Sequence, residues 1–228
     1  MNTDTSIPFR DFDERDEVRI YDNDTLPHWR QTGCAYFVTF RQADSLPEPV
    51  QREMEYERKL WLTNHGIAPE ARKWKDAFAK LPQKTRREYE RRVGTTLDKH
   101  LDAGHGGSVL GHKAIGKIVA DALLHFHGTR VLNGDLVVMP NPIHALMTPL
   151  PGFELEDILH SIKSYSANRI NEVLGQSGTF WQRESYDHIV RDYEQLEAFQ
   201  QYIAANPGQA HLDSEHFINL PARYRPDE

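Results

Sequence analysis

Cysteine is nearly missing. One residue, Cys34, in a chain of 228 excludes a disulfide framework and any cysteine-built zinc site. Long apolar runs are missing as well: no stretch approaches the ~20 residues of a membrane-spanning helix, so no membrane partner is expected. The opening residues, MNTDTSIPFRDFDERDEVRIYDND, are polar and acidic. That is not the pattern of a secretory signal, and a soluble, cytoplasmic protein is expected. Cations are outnumbered, 27 Lys and Arg against 34 Asp and Glu, for a net charge of −7. An acidic chain is a poor general ligand for phosphate. The balance is uneven, however, because residues 51–100 hold 13 basic side chains against 8 acidic ones. Whole-chain charge therefore does not exclude nucleic acid.

Aromatic residues are plentiful, with 10 Phe, 9 Tyr and 4 Trp, enough to build a core at this length without staples. Residues 1–27 read as an irregular lead-in. Ala35–Phe40 is β-branched and aromatic and predicts a central strand. Residues 50–63 predict a helix, and 64–106, broken by Pro and Gly, an insertion with a helical piece at 84–93. Residues 113–127 place Ile115, Ile118, Val119, Ala122 and Leu123 on one stripe, an amphipathic helix closed by Gly128. Strands follow at 129–139 and 143–148, then a helix at 155–174 ended by Gly175. A strand at 186–190 comes next. A last helix at 193–205 is expected to stop at Asn206-Pro207, because proline lacks the donor to continue it. Residues 213–228 read as a tail. This order predicts an α+β fold, an antiparallel sheet with helices on one face.

Two positions suggest phosphoryl transfer. His144 lies on a predicted strand just after a turn, and side chains two apart on a strand share a face. A His-x-His pair there would make a two-nitrogen metal site, but the residue two before is Pro142. Tyr202 and Asn206 lie four apart on a helix and so share a face. A phenol beside an amide oxygen that holds a divalent cation is a workable nucleophile and metal arrangement. Structural readings compete: a hydrogen-bonded strand histidine, a core tyrosine and a plain Asn-Pro stop.

The stretch Val137-Val138-Met139-Pro140-Asn141-Pro142-Ile143-His144-Ala145-Leu146 resembles the HUH motif of the REP-associated tyrosine transposases, in the single-tyrosine HUH superfamily. Further blocks carry the same resemblance: Tyr36–Arg41, the helix ending His125-Phe126-His127-Gly128, Ile158–Tyr165, Phe180–Asp192 and Tyr202–Pro207. Together they span most of 28–212. The resemblance implies a ferredoxin-like HUH endonuclease domain at 28–212 that nicks hairpin-bearing single-stranded DNA and forms a 5′-phosphotyrosine intermediate. It implies Tyr202 as nucleophile, His144 and Asn206 as ligands of Mg²⁺ or Mn²⁺, and a monomer or homodimer. Pro142 departs from the pattern, since it stands where the first histidine is usual and has no donor atom. The alternative is a catalytically impaired DNA-binding descendant; a structural protein unrelated to DNA is a third, weaker reading.

Arg41, Lys163, Arg169 and Arg183 are the expected DNA contacts, with Arg86, Arg87, Arg91 and Arg92 as a basic run that also reads as a solvated helix face. Trp181 and Tyr186 could stack on bases. His125 and His127, two apart on a helix, diverge by about 200° and are not expected to chelate. Gly111 to Lys117 imitates a phosphate loop but has Ile118 where Ser or Thr is required. His188 beside Asp187 reads as a polar pair or, less readily, a general base.

Overall fold

The computed structural model describes residues 6–23, 26–43, 45, 48–71, 74–82, 84–86, 88–89, 92, 109–183 and 185–226. The chain packs as two units, residues 44–106 and the remainder. The smaller unit contains helices α1 (Glu48–Asn64) and α2 (Trp74–Ala79). The 50–63 helix, expected in the main core, thus belongs with the inserted segment. Its centre is aromatic: the Trp61 and Tyr89 rings lie 4.7 Å apart and those of Phe78 and Tyr89 5.0 Å apart. Arg87 and Arg91 lie outside the described residues.

In the larger unit come β1 (Ile7–Phe9), β2 (Arg19–Asn23), β3 (Leu26–Arg30) and β4 (Tyr36–Phe40). After the insertion follow α3 (Lys113–Leu124), β5 (Val131–Val138), β6 (Ile143–Pro149), α4 (Leu155–Leu174), β7 (Tyr186–Ile189), α5 (Tyr193–Gln209), β8 (Ile218–Leu220) and β9 (Tyr224–Pro226). The main sheet has the order β7-β4-β6-β5-β8, with every pairing antiparallel. The α+β fold with an antiparallel sheet is therefore the observed one. Among the described residues no helix is long and apolar enough to cross a membrane.

Helices cover both faces of this sheet, not one. Alternation along the strands explains it. Tyr36, Val38 and Phe40 of β4 and Ile143, Ala145 and Met147 of β6 pack in one cluster with α3 and α4 residues such as Val119, Leu123, Ile158 and Ile162. The intervening Phe37, Leu146 and Val137 pack in a second cluster with Leu196 and Ile203 of α5. The near-continuous apolar runs of β4, β5 and β6 are the signature of strands covered on both sides.

Three other expectations change. The lead-in at 1–27 carries β1, the hairpin strand β2 and the start of β3. The tail at 213–228 supplies β8 to the main sheet, and β9 pairs in parallel with β1. Strands β1, β8 and β9 find their partners far along the chain, so no local pattern announces them. Finally, α5 runs through Pro207 to Gln209. The missing N–H falls in the last turn, where one hydrogen bond is lost, and the ring is buried. The helix still closes, with Ala210 N donating to Asn206 O at 3.0 Å.

The bulge in β5 between Asn133 and Leu136 is held by two contacts. Gln200 Nε2 on α5 donates to Asp135 at 2.6 Å, and a β-carbon on Gly134 would lie 1.6 Å from Tyr224 Oη. Gly134→Ala should cost roughly 1–3 kcal/mol through overpacking. Tyr224→Ala alone should also destabilise the fold, and the double variant should lose less than the sum of the two. Denaturant unfolding of the four proteins measures this.

Candidate active site

His144 enters the α5-facing side of β6 because its neighbours, Ile143 and Ala145, turn to the opposite face. Its imidazole is almost wholly buried (1% exposed). Nδ1 lies 2.8 Å from Thr39 Oγ1 on β4, whose backbone is in register with it. Nε2 is buried and has no hydrogen-bond partner. Two rings meet the imidazole on this face, and a third stacks on one of them. Phe37 stacks on the imidazole at 5.4 Å, and Phe199 stacks on the other side of Phe37 at 4.4 Å. Tyr202, half-buried on α5, meets His144 edge-on at 5.2 Å and Phe37 at 5.7 Å. The structure brings Tyr202 and His144 together.

Asp192 fixes the start of α5: its carboxylate accepts from Gln195 N at 2.7 Å, an N-cap. Asn206, one turn past Tyr202, is buried at 8% exposure. The helix period puts both on one side of α5. Pro142 is buried at the start of β6 and offers no donor. Among the described residues no group of three or more His, Cys, Asp or Glu converges on one point. Among the residues expected at the site, His144 Nε2 is a buried nitrogen without a hydrogen-bond partner. With no hydrogen-bond partner, Nε2 keeps a lone pair that a divalent ion can use.

Burial, and next the positive charge of Arg41, push His144 down to about 3. The ring is therefore neutral at pH 7. A neutral imidazole is a competent metal ligand, while a base that weak does not take a phenol's proton.

The expected DNA contacts fall in different places. Arg41 is buried (3% exposed) and acts on His144 through its charge rather than from the surface. Lys163 and Arg183 line a cavity of about 290 Å³ with His28, Glu156, Asp157 and His160; Lys163 Nζ donates to Arg183 O at 3.0 Å. Arg169 pairs with Glu172 on exposed α4. Asp187, which borders that cavity, is in register with Val38. The cavity therefore opens on the α4 side of the sheet, opposite Tyr202. Trp181 is core, its Nε1 donating to Ser166 Oγ at 2.9 Å.

Sequence reasoning missed the partners of Asp187. His188 and Asp187 point to opposite faces, so the expected pair does not form. Asp187 instead binds His28 and Arg30 of β3, and Arg30 also donates to Glu156 at 2.6 Å. Burial works to raise Asp187, but Arg30 and His28 outweigh it and hold the carboxyl at about 2. His188 packs on Phe199, and burial, reinforced by Arg191, pushes it down to about 4. Of the two decoys, His127 accepts from Asn133 N at 3.0 Å. Gly116 lies inside α3, where a β-carbon would sit 2.8 Å from Leu110 O; close packing explains that glycine.

Residues 115–206 match the sequence model of the family described as "Transposase IS200 like". Over this segment the chain is similar to the IS200-like transposases. The matched residues include His144, Tyr202 and Asn206. A solved structure, a REP-associated tyrosine transposase bound to a REP hairpin, is similar at 13% identity and a TM-score of 0.43, over 81% of this chain and 74% of that one. No curated protein matches the chain.

The buried His144 gives this IS200-like segment a pH signature. Its folded-state value, about 3, lies below the ordinary ~6.5 of an unfolded chain. Between those values the unfolded chain holds the extra proton, so stability falls as pH falls through the window, by up to about 1.4 kcal/mol per unit. His188 acts with the same sign down to about 4, and Asp187 adds a loss below the ordinary carboxylate range. His144→Gln should therefore flatten the slope of unfolding free energy between pH 6 and 4 by about one proton, measured by denaturant titration at several pH values.

Proposed function

We propose that this chain binds hairpin-bearing single-stranded DNA and cuts and rejoins it through Tyr202. The observation that carries the reading is the unpartnered Nε2 of His144 buried beside the Tyr202 ring. The hairpin substrate follows from the resemblance of the motif blocks to the REP-associated tyrosine transposases. In the forward step Tyr202 Oη gives its proton to solvent and forms a bond to phosphorus, the P–O3′ bond breaks, and the 3′ oxygen takes a proton from solvent and leaves as a hydroxyl. The reverse step rejoins a strand. A divalent ion, Mg²⁺ or Mn²⁺, would sit on His144 Nε2 and Asn206 and supply charge to the scissile phosphate.

The protein's own contribution is placement. Phe37 and Phe199 form the wall against which the Tyr202 ring is held, and the strand fixes His144 while the capped helix fixes Tyr202. Orientation of this kind accounts for a large share of a phosphoryl-transfer barrier. Lys163, Arg169 and Arg183, on the α4 side of the sheet, would contact DNA away from the scissile phosphate. Burial, reinforced by the charge of Arg41, keeps the imidazole neutral.

Pro142 favours a second reading, a DNA-binding descendant with impaired cleavage. A hard cation replaces a missing ligand with water, but the grip on its position weakens. Incubation of the protein with labelled hairpin oligonucleotides and Mn²⁺, followed by a denaturing gel, separates the two. A covalent band is expected from the wild type. Tyr202→Phe should abolish it while leaving affinity for the oligonucleotide within about twofold; a band persisting in that variant refutes the nucleophile. Pro142→His should strengthen the band at low Mn²⁺, and its failure to do so would show that the absent imidazole is not what limits cleavage. Binding without any band in the wild type establishes the second reading.

A further inference from the structure

We infer that Thr39 is a positioning residue: its hydroxyl holds the His144 imidazole in the tautomer that leaves Nε2 bare, in a ring that meets Tyr202 edge-on. The inference rests on the proposed metal-assisted reading for its purpose but on geometry alone for its substance.

His144 has two in-register neighbours, one on each flanking strand. On β5 the neighbour is Val137, which offers no polar group, and on β4 it is Thr39. The Thr39 hydroxyl lies 2.8 Å from Nδ1, and both side chains are buried. A neutral imidazole carries one N–H, on either nitrogen. With the proton on Nδ1, that N–H donates to Thr39 Oγ1 and leaves Nε2 as a lone pair. With the proton on Nε2, the buried N–H has no acceptor, since Nε2 has no partner. Orphaned buried donors are the rarer and costlier case, while an under-satisfied acceptor is better tolerated. The Nδ1–H tautomer is therefore the favoured one, and Thr39 Oγ1 is what favours it.

The consequence is specific to this chain. With proline at position 142, His144 is the only imidazole that the motif strand offers, so nothing else on β6 compensates if its lone pair turns away. Thr39 is well placed to prevent that turn. It sits on a strand paired on both sides, to His144 on β6 and to Tyr186 on β7. A hydrogen bond to the far ring nitrogen is the common way in which an outer residue orients a ligating histidine, and its loss typically costs about 10–100-fold in metal affinity.

The test uses the full chain, ¹⁵N-labelled at histidine and without metal, at pH 7. Long-range ¹H–¹⁵N spectra report which ring nitrogen is protonated. The wild type should show His144 with Nδ1 protonated and Nε2 bare. Thr39→Val, close in shape, should mix the tautomers or reverse them, and Thr39→Ser should restore the wild-type pattern. In parallel, free Mn²⁺ measured by electron paramagnetic resonance should report affinity falling about 10-fold or more in Thr39→Val and recovering in Thr39→Ser. A wild-type His144 protonated at Nε2 overturns the inference, as does a tautomer unmoved by Thr39→Val. Should Thr39→Val fail to fold, the wild-type and Thr39→Ser spectra still decide the tautomer. Failure of the cleavage reading is distinguishable: no covalent band and no bound Mn²⁺ in the wild type, with the tautomer and its Thr39 dependence as stated, would remove the reaction and leave the positioning role in place.

Discussion

Strand β6 has to satisfy two apolar layers at once, and the alternation of its side chains decides what reaches each. Ile143, Ala145 and Met147 fill the α3 and α4 side, which leaves position 144 facing α5. An imidazole placed there loses its water. One nitrogen recovers a hydrogen bond from β4, and the other recovers none. Such a residue is expensive for a core, and a valine would pack with less penalty. That cost is borne at a strand position which Tyr202 of α5 overlooks. A one-residue slip of β6 would send His144 into the wrong layer, so the register with β4 is as much a part of the site as the side chains are.

The opposite face of the sheet solves a different problem. Arg30, Asp187, His28 and Glu156 form a buried ionic cluster that ties β3 and β7 to the start of α4. Each charge there is stable only while its partners remain, so removing one member should harm the fold far more than any surface charge would. The cluster borders the cavity that contains Lys163 and Arg183. Cationic side chains expected near DNA thus stand on a rigid ionic floor, separated from Tyr202 by the thickness of the sheet.

Much of this was legible in the sequence where periodicity is strong. The stripes of α3 and α4, the aromatic β4 and the turn before β6 announce themselves locally, and with them came His144, Tyr202 and Asn206. Other features could not be read that way. The strands at 7–9, 218–220 and 224–226 are three residues long and pair with partners 80 or more positions distant. Continuous apolar runs in β4 to β6 were the available sign of a sheet covered on both faces. Thr39 carries no motif of its own, and only the register of β4 with β6 gives it meaning. Pro207 misled because a proline in a last turn costs one hydrogen bond, which its own burial offsets.

The central claim is that one nitrogen of His144 is held bare, beside Tyr202, for a cation. Anomalous diffraction at the manganese edge from crystals of the protein grown with Mn²⁺ tests it most directly. The account predicts a peak within bonding distance of His144 Nε2, on the side that Tyr202 and Asn206 share. Bound manganese elsewhere on the molecule, with His144 Nε2 empty or its ring turned from the tyrosine, would contradict it.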